Sequence, residues 1–150
     1  MTGVDDRREV VLQTLYLTWS GTCRSATLRQ ATRHAVENNG AFVHLAVLDD
    51  ASFADVEDHV MIIVAEELEW LLEAQVYLVR RQIGADDLPV RVVVRRGDIV
   101  EQTVSMLDEL GCADLVVGAP GPVGETGPLT DLLAVMSSRV DQVVRLADPD

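Results

Sequence analysis

Two arginine pairs, Arg80-Arg81 and Arg95-Arg96, flank a short apolar run. Paired guanidinium groups can fork onto carboxylates or phosphates, so an anionic ligand is one use for them. Balancing the acidic surface of this chain is the simpler one. Three histidines, His34, His44 and His59, fall on different predicted elements, and none has the His-x-x-His or His-Glu-x-x-His spacing that zinc needs. Each reads as a surface or core histidine. Cys23 and Cys112 form no Cys-x-x-Cys pair and read as free thiols. No Gly-x-Ser-x-Gly elbow offers a hydrolase nucleophile. No Gly-x-Gly-x-x-Gly follows the first strand, which argues against dinucleotides. The acid clusters Asp5-Asp6, Asp49-Asp50, Glu66-Glu67-Glu69 and Asp86-Asp87 read as solvated faces. General acid–base work would require carboxylates to converge in a cleft. The reading therefore assigns no catalytic residue and no metal ligand, and expects no enzymatic activity.

The totals narrow the classes further. The chain has 150 residues, 48% of them apolar, enough for one domain with a sizeable core. Residues 1–9 read as a charged tail with no apolar leader, and the stretch from His59 to Ala65 is far too short to span a bilayer. A cytoplasmic protein is expected. Net charge is −13, and all twelve basic residues are arginine. A nucleic-acid partner would need a basic stripe to displace counterions, so none is expected.

Apolar periodicity sets out the elements that must position any site. Val10 to Trp19 reads as a strand, Ser20-Gly21-Thr22 breaks it, and Ser25 caps a helix running to about Asn38. Phe42 to Leu48 is almost continuously apolar, as a strand covered on both faces should be. A long helix follows from about Asp55 to Ile83, closed by Gly84, with more apolar residues than one stripe requires, so part of it is free to meet a partner chain. Val90 to Val94 is the third strand. Asp98 and Glu101 have the spacing of a capping box opening a helix from Ile99 to Leu110. Asp114 to Gly118 is the fourth strand, Ala119 to Leu129 a Gly/Pro loop, and Leu132 to about Leu146 a last helix. This alternation predicts an α/β three-layer sandwich, an open and mainly parallel sheet of four to five strands with helices on both faces.

The segment from Gly97 to Gly121, GDIVEQTVSMLDELGCADLVVGAPG, resembles the universal stress protein family. It has a Gly after the third strand (Gly97), an amphipathic helix, an acid-Leu-hydrophobic-hydrophobic-Gly fourth strand (Asp114 to Gly118) and a Gly-x-x-Gly loop (Gly118, Gly121). Ser20-Gly21-Thr22 with Ser25 stands where the family has Asp-Gly-Ser and a later Ser, and Ser137 to Val140 resembles its Ser-x-Arg-Val. The resemblance implies a five-stranded parallel sheet, a homodimer or larger homo-oligomer, and membership of either an ATP-binding or a non-binding branch. The binding branch carries Gly-x2-Gly-x9-Gly-(Ser/Thr), in which glycines admit phosphates to the backbone and a helix N-terminus holds them.

This chain keeps Gly118 and Gly121 and departs from the rest. Asp131 and Leu132 stand in the Gly-(Ser/Thr) positions, Ser20 replaces the acid ending the first strand, and no basic residue falls between Ala119 and Ser138. Glu125 and Asp131 put negative charge where a triphosphate would lie. Ser20 to Ser25 also resembles the Ser-Gly-Gly-x-Asp-Ser loop of ATP pyrophosphatases, but with Thr22 for the second Gly and Arg24 for the acid, and a turn with a helix cap accounts for it. The expectation is a regulatory or binding module, with a regulated protein as one candidate partner, that does not hold ATP in the usual way and needs no cofactor. The alternative is an ATP- or AMP-binding stress protein with a remodelled phosphate loop. Any ligand is expected at Trp19, Ser20, Gly21, Thr22, Gly118, Gly121 and Thr126, with Gly118 in a backbone conformation that only glycine adopts freely. The end of the chain, Arg145 to Asp150, reads as too polar and short for a fifth strand, which would leave the fourth as an apolar edge needing cover.

Overall fold

In the computed structural model the described residues are 13–19, 25–38, 40–50, 53–111, 113–118, 134–135 and 144–147. Among these residues the elements run in the order β1 (Gln13–Trp19), α1 (Ser25–Asn38), β2 (Ala41–Asp49), α2 (Asp58–Gln82), β3 (Val90–Gly97), α3 (Ile99–Leu110), β4 (Ala113–Gly118) and β5 (Val144–Ala147). The strands form one sheet in the order β3-β2-β1-β4-β5, every pair parallel. Parallel pairing demands crossovers, and these lay α1 and α2 on one face and α3 on the other.

Alternation along the strands assigns each side chain to a face. Leu15, Leu17, Val43, Leu45, Leu115 and Val117 pack with Val100, Met106 and Leu107 of α3. Tyr16, Phe42 and Val116 pack with Leu28, Ala31 and Ala35 of α1 and with Val76 and Val79 of α2. Further along that face Ala46 and Leu48 meet Met61, Leu68 and Leu72 of α2. The helices thus bury stripes at three- and four-residue spacing, and the central strands are covered twice over.

Helix α3 starts where its cap predicts. The Asp98 carboxylate accepts from the Glu101 amide at 3.0 Å, satisfying a donor the helix itself leaves without a partner. Asp98→Ala is expected to cost about 1 kcal/mol of stability, seen in calorimetry as a lower Tm; an unchanged Tm would remove the cap from the account of this helix.

Three sequence expectations need correction. The last helix does not reach Leu146, because Val144–Ala147 is strand β5, paired parallel with β4 from Leu115↔Val144 to Gly118↔Ala147. A fifth strand therefore exists despite the polar end of the chain, and β4 is an interior strand; β3 and β5 are the edges. Four residues suffice because an edge strand needs backbone pairing on one side only. Val143, Val144 and Leu146 fit a helical stripe as well as a strand, and only the partner strand decides between them. Finally, β3 runs on past Val94 to Gly97, through both arginines. No helix among the described residues is long and apolar enough to cross a membrane.

Candidate functional site

Strand β1 pairs with β2 on one side and β4 on the other. Chain connections therefore diverge at β1/β4, and in an open parallel sheet the crevice for ligands opens at the carboxyl ends of the strands on either side of such a switch. Trp19 ends β1 and Gly118 ends β4, so two of the expected site residues stand at this crevice. Ser20, Gly21, Thr22, Gly121 and Thr126 lie outside the described residues. Trp19 is partly buried against the α3 face of the sheet. Asp49 ends β2 in the same row and is 9% exposed, so it is buried and not part of a solvated acid pair as its sequence context suggests.

The structure gives Gly118 a different constraint from the expected backbone conformation. Its backbone is not in the left-handed region; among the described residues the positive angles belong to Gly84, Gly97 and Gly111. What excludes a side chain is the Tyr16 ring: a β-carbon on Gly118 would stand 2.7 Å from Tyr16 Oη and 2.8 Å from its Cε1. Gly97, at the end of β3, does need its freedom, with φ 146°.

Beneath the crevice, on the α1/α2 face, lies a buried polar layer that the sequence reading missed. Tyr16 Oη and Thr27 Oγ1 share a hydrogen bond of 2.5 Å, and Thr18 Oγ1 is 2.9 Å from His44 Nε2. The Tyr16 and His44 rings lie 4.7 Å apart. His44 is fully buried, and its Nδ1 has no hydrogen-bond partner among the described residues. Burial alone drives its pKa from 6.5 down to about 3, so the imidazole is neutral at physiological pH. The signal was present in the sequence as Thr14, Tyr16 and Thr18 alternating with Leu15 and Leu17, and as one histidine inside the apolar run of β2.

The remaining candidates are engaged elsewhere. His34 meets Asp114 at 3.1 Å near the opposite end of β4, and His59 meets Glu57 at 3.3 Å beside the start of α2. Among the described residues no group of three His, Cys, Asp or Glu side chains stands close enough to hold a metal ion. Arg95 pairs with Glu109 and Arg96 with Asp58, each at 2.8 Å. Arg80 donates to the Leu88 carbonyl at 2.7 Å, and Arg81 lies over the Tyr77 ring at 5.8 Å. The arginine pairs therefore make local contacts rather than converge on one anion.

The chain matches no protein-family model and no curated protein by sequence. It does superpose on solved structures. A universal stress protein in complex with cAMP matches with TM-score 0.58 and 16% identity over 95% of this chain and 100% of the other. The universal stress protein from Archaeoglobus fulgidus in complex with dAMP gives 0.58 and 16% over 93% and 99%. Universal stress protein UspA from Lactobacillus plantarum gives 0.57 and 16% over 90% and 97%. Element order, strand order and these superpositions agree: the chain has the fold of the universal stress proteins.

Proposed function

We propose that this chain is a regulatory binding module of universal stress protein type, without catalytic activity, whose crevice at β1 and β4 does not hold ATP in the usual way. One observation carries the reading. The segment that leaves β4 at the crevice has no basic residue from Ala119 to Ser138 and carries Glu125 and Asp131, while Ser20 replaces the acid that follows β1 in the binding branch. A triphosphate entering there would meet like charge in place of cations. The same reading has the protein act in the cytoplasm as a homodimer or larger assembly. Isothermal titration at low salt should show no heat with ATP at sub-millimolar concentration; a micromolar Kd would overturn the proposal.

A second reading has support of its own. Two of the similar structures are complexes with cAMP and dAMP, each a single-phosphate nucleotide. An adenosine monophosphate brings less charge to the acidic segment than ATP does, so it fits this crevice better. Denaturing the purified protein and searching the supernatant by mass spectrometry separates the two readings. Stoichiometric AMP, ATP or a cyclic monophosphate favours the second, and an empty supernatant favours the first.

A further inference from the structure

Helix α2 has two apolar faces, and the sheet uses only one. Met61, Leu68, Leu72, Val76 and Val79 are buried. On the opposite side Trp70 is 77% exposed, Leu71 64% and Leu78 57%, with Ile63 and Tyr77 at least half exposed. Ile63, Trp70 and Tyr77 recur every seventh residue, and Val64, Leu71 and Leu78 repeat the interval one position on. The strip is not purely apolar. An open groove of ≈ 830 Å³ along it is lined by Glu67 and Glu73 as well as by Ile63, Trp70, Leu71 and Ala74. From Asp58 to Val79 the helix carries five acids and no arginine. Among the described residues Glu66, Glu67, Glu69 and Glu73 form no ion pair.

We propose that this outer face of α2 docks a cationic amphipathic helix of a different protein, whose apolar side chains fill the strip and whose lysines or arginines reach Glu67 and Glu73. Backbone chemistry selects a helix. The N–H and C=O groups of α2 are spent within it, so an extended segment would find no edge to pair with and would leave its own backbone unsatisfied. The seven-residue repeat is instead the pattern by which one helix packs its side chains between those of another. Charge selects the partner. Glu67 stands one turn before Trp70 and Leu71, between their two rows, so whatever covers the strip takes this carboxylate out of water and must bring it a cation. A second copy of this chain would bring four more glutamates, and an anionic lipid surface would add like charge. Long basic side chains meet both demands, laying their apolar stems on Trp70 and Leu71 while their heads reach the carboxylates. The strip lies on the helix face turned away from the sheet. Docking there is therefore a binding function separate from the crevice, and it needs no nucleotide.

The probe is a fluorescein-labelled peptide of about three heptads, with leucine at the two core positions of each and lysine at the positions beside them. Fluorescence anisotropy should show saturable binding of one peptide per chain. Glu67→Lys/Glu73→Lys changes only exposed side chains and should weaken binding by about a hundredfold, with an unchanged circular dichroism spectrum. The same variant should bind a peptide carrying glutamate in place of lysine about tenfold or more better than the natural chain does. Trp70→Ala should weaken the lysine peptide by about tenfold or more, which attraction by net charge alone would not produce. Asp86→Lys/Asp87→Lys makes an equal change of charge in the exposed turn after α2 and should alter affinity by less than about twofold. No saturable binding, equal losses from the two charge reversals, or a Trp70→Ala chain that binds like the natural one would overturn the proposal. A dimer in sedimentation velocity that Trp70→Arg dissociates would give the strip to a second copy and overturn it as well. Uptake of the natural chain, but not of Trp70→Arg, onto phosphatidylcholine vesicles would give it to lipid with the same consequence.

Discussion

Gly118→Val should lower the melting temperature sharply, and even Gly118→Ala should be felt. The nearest obstacles to a β-carbon at this position are Tyr16 Oη at 2.7 Å, Cε1 at 2.8 Å and Cζ at 3.0 Å. Such distances force a shift, and the ring has little room for one. It is fully buried, tied to Thr27 by a 2.5 Å hydrogen bond, and stands between Phe42, at 6.0 Å between ring centroids, and His44. Overfilling a packed interior typically costs about 1–3 kcal/mol. That range is expected for alanine, with valine beyond it because its two methyl groups enter the same space. At this chain length each kcal/mol lowers Tm by roughly 2–4 °C. A double-mutant cycle with Tyr16→Leu tests the cause. If the ring is the obstacle, removing it should recover part of the alanine penalty, giving a coupling above about 0.5 kcal/mol. Additive penalties, or a Gly118→Ala chain that melts with the natural one, would sink the close-approach explanation.

That contact also marks how far the sequence could be read. The need for glycine at 118 was visible from the residue type and its place after an apolar run. Its cause was not, because Tyr16 reaches Gly118 only once β1 and β4 pair, and no local pattern encodes that pairing. Helix α3 behaves in the opposite way. Its cap, its apolar stripe and its closing Gly111 are all local, and the predicted range Ile99 to Leu110 is the observed one. Strand β3 falls between these cases. Arg95 and Arg96 look like the polar end of a strand, yet pairing continues through Val47↔Arg95 and Leu48↔Arg96. Successive residues point to opposite faces, and each arginine finds an acid there: Glu109 on α3 for Arg95, Asp58 on α2 for Arg96. Strand β5 was illegible for the same reason as the Tyr16 contact, since β4 alone makes four ambiguous residues extended. At the candidate site, the sequence reading named Trp19 and Gly118, which end β1 and β4, but passed over Tyr16, Thr18, Thr27 and His44. Their polarity became informative only when the fold buried them together.

His44 should make the fold lose stability as the pH drops below 6.5. The imidazole is wholly buried, hydrogen-bonded to Thr18, and its pKa falls from 6.5 to about 3 because burial penalises the charged form. The sign follows from the direction of that shift. In the unfolded chain the ring takes a proton as pH drops through 6.5, whereas in the folded chain it stays neutral to about 3. Between those values the unfolded state binds more protons, so stability falls as pH falls, by about 1.4 kcal/mol per unit from this group alone. The contribution is fully present above pH 6.5 and has gone by pH 3. The loss from this group between pH 6.5 and 4.5 is on the order of 2–3 kcal/mol. His44→Gln keeps a group able to bond Thr18 and has no charge to gain. It is expected to be less stable than the natural chain at pH 7, because the packing against Tyr16 is lost, and to have a distinctly flatter stability profile down to pH 4.5. Urea midpoints across that window measure both slopes. Parallel profiles for the two proteins would mean that the buried imidazole accepts its proton without unfolding, and the account of it as a neutral, structural group in the layer beneath the crevice would fall.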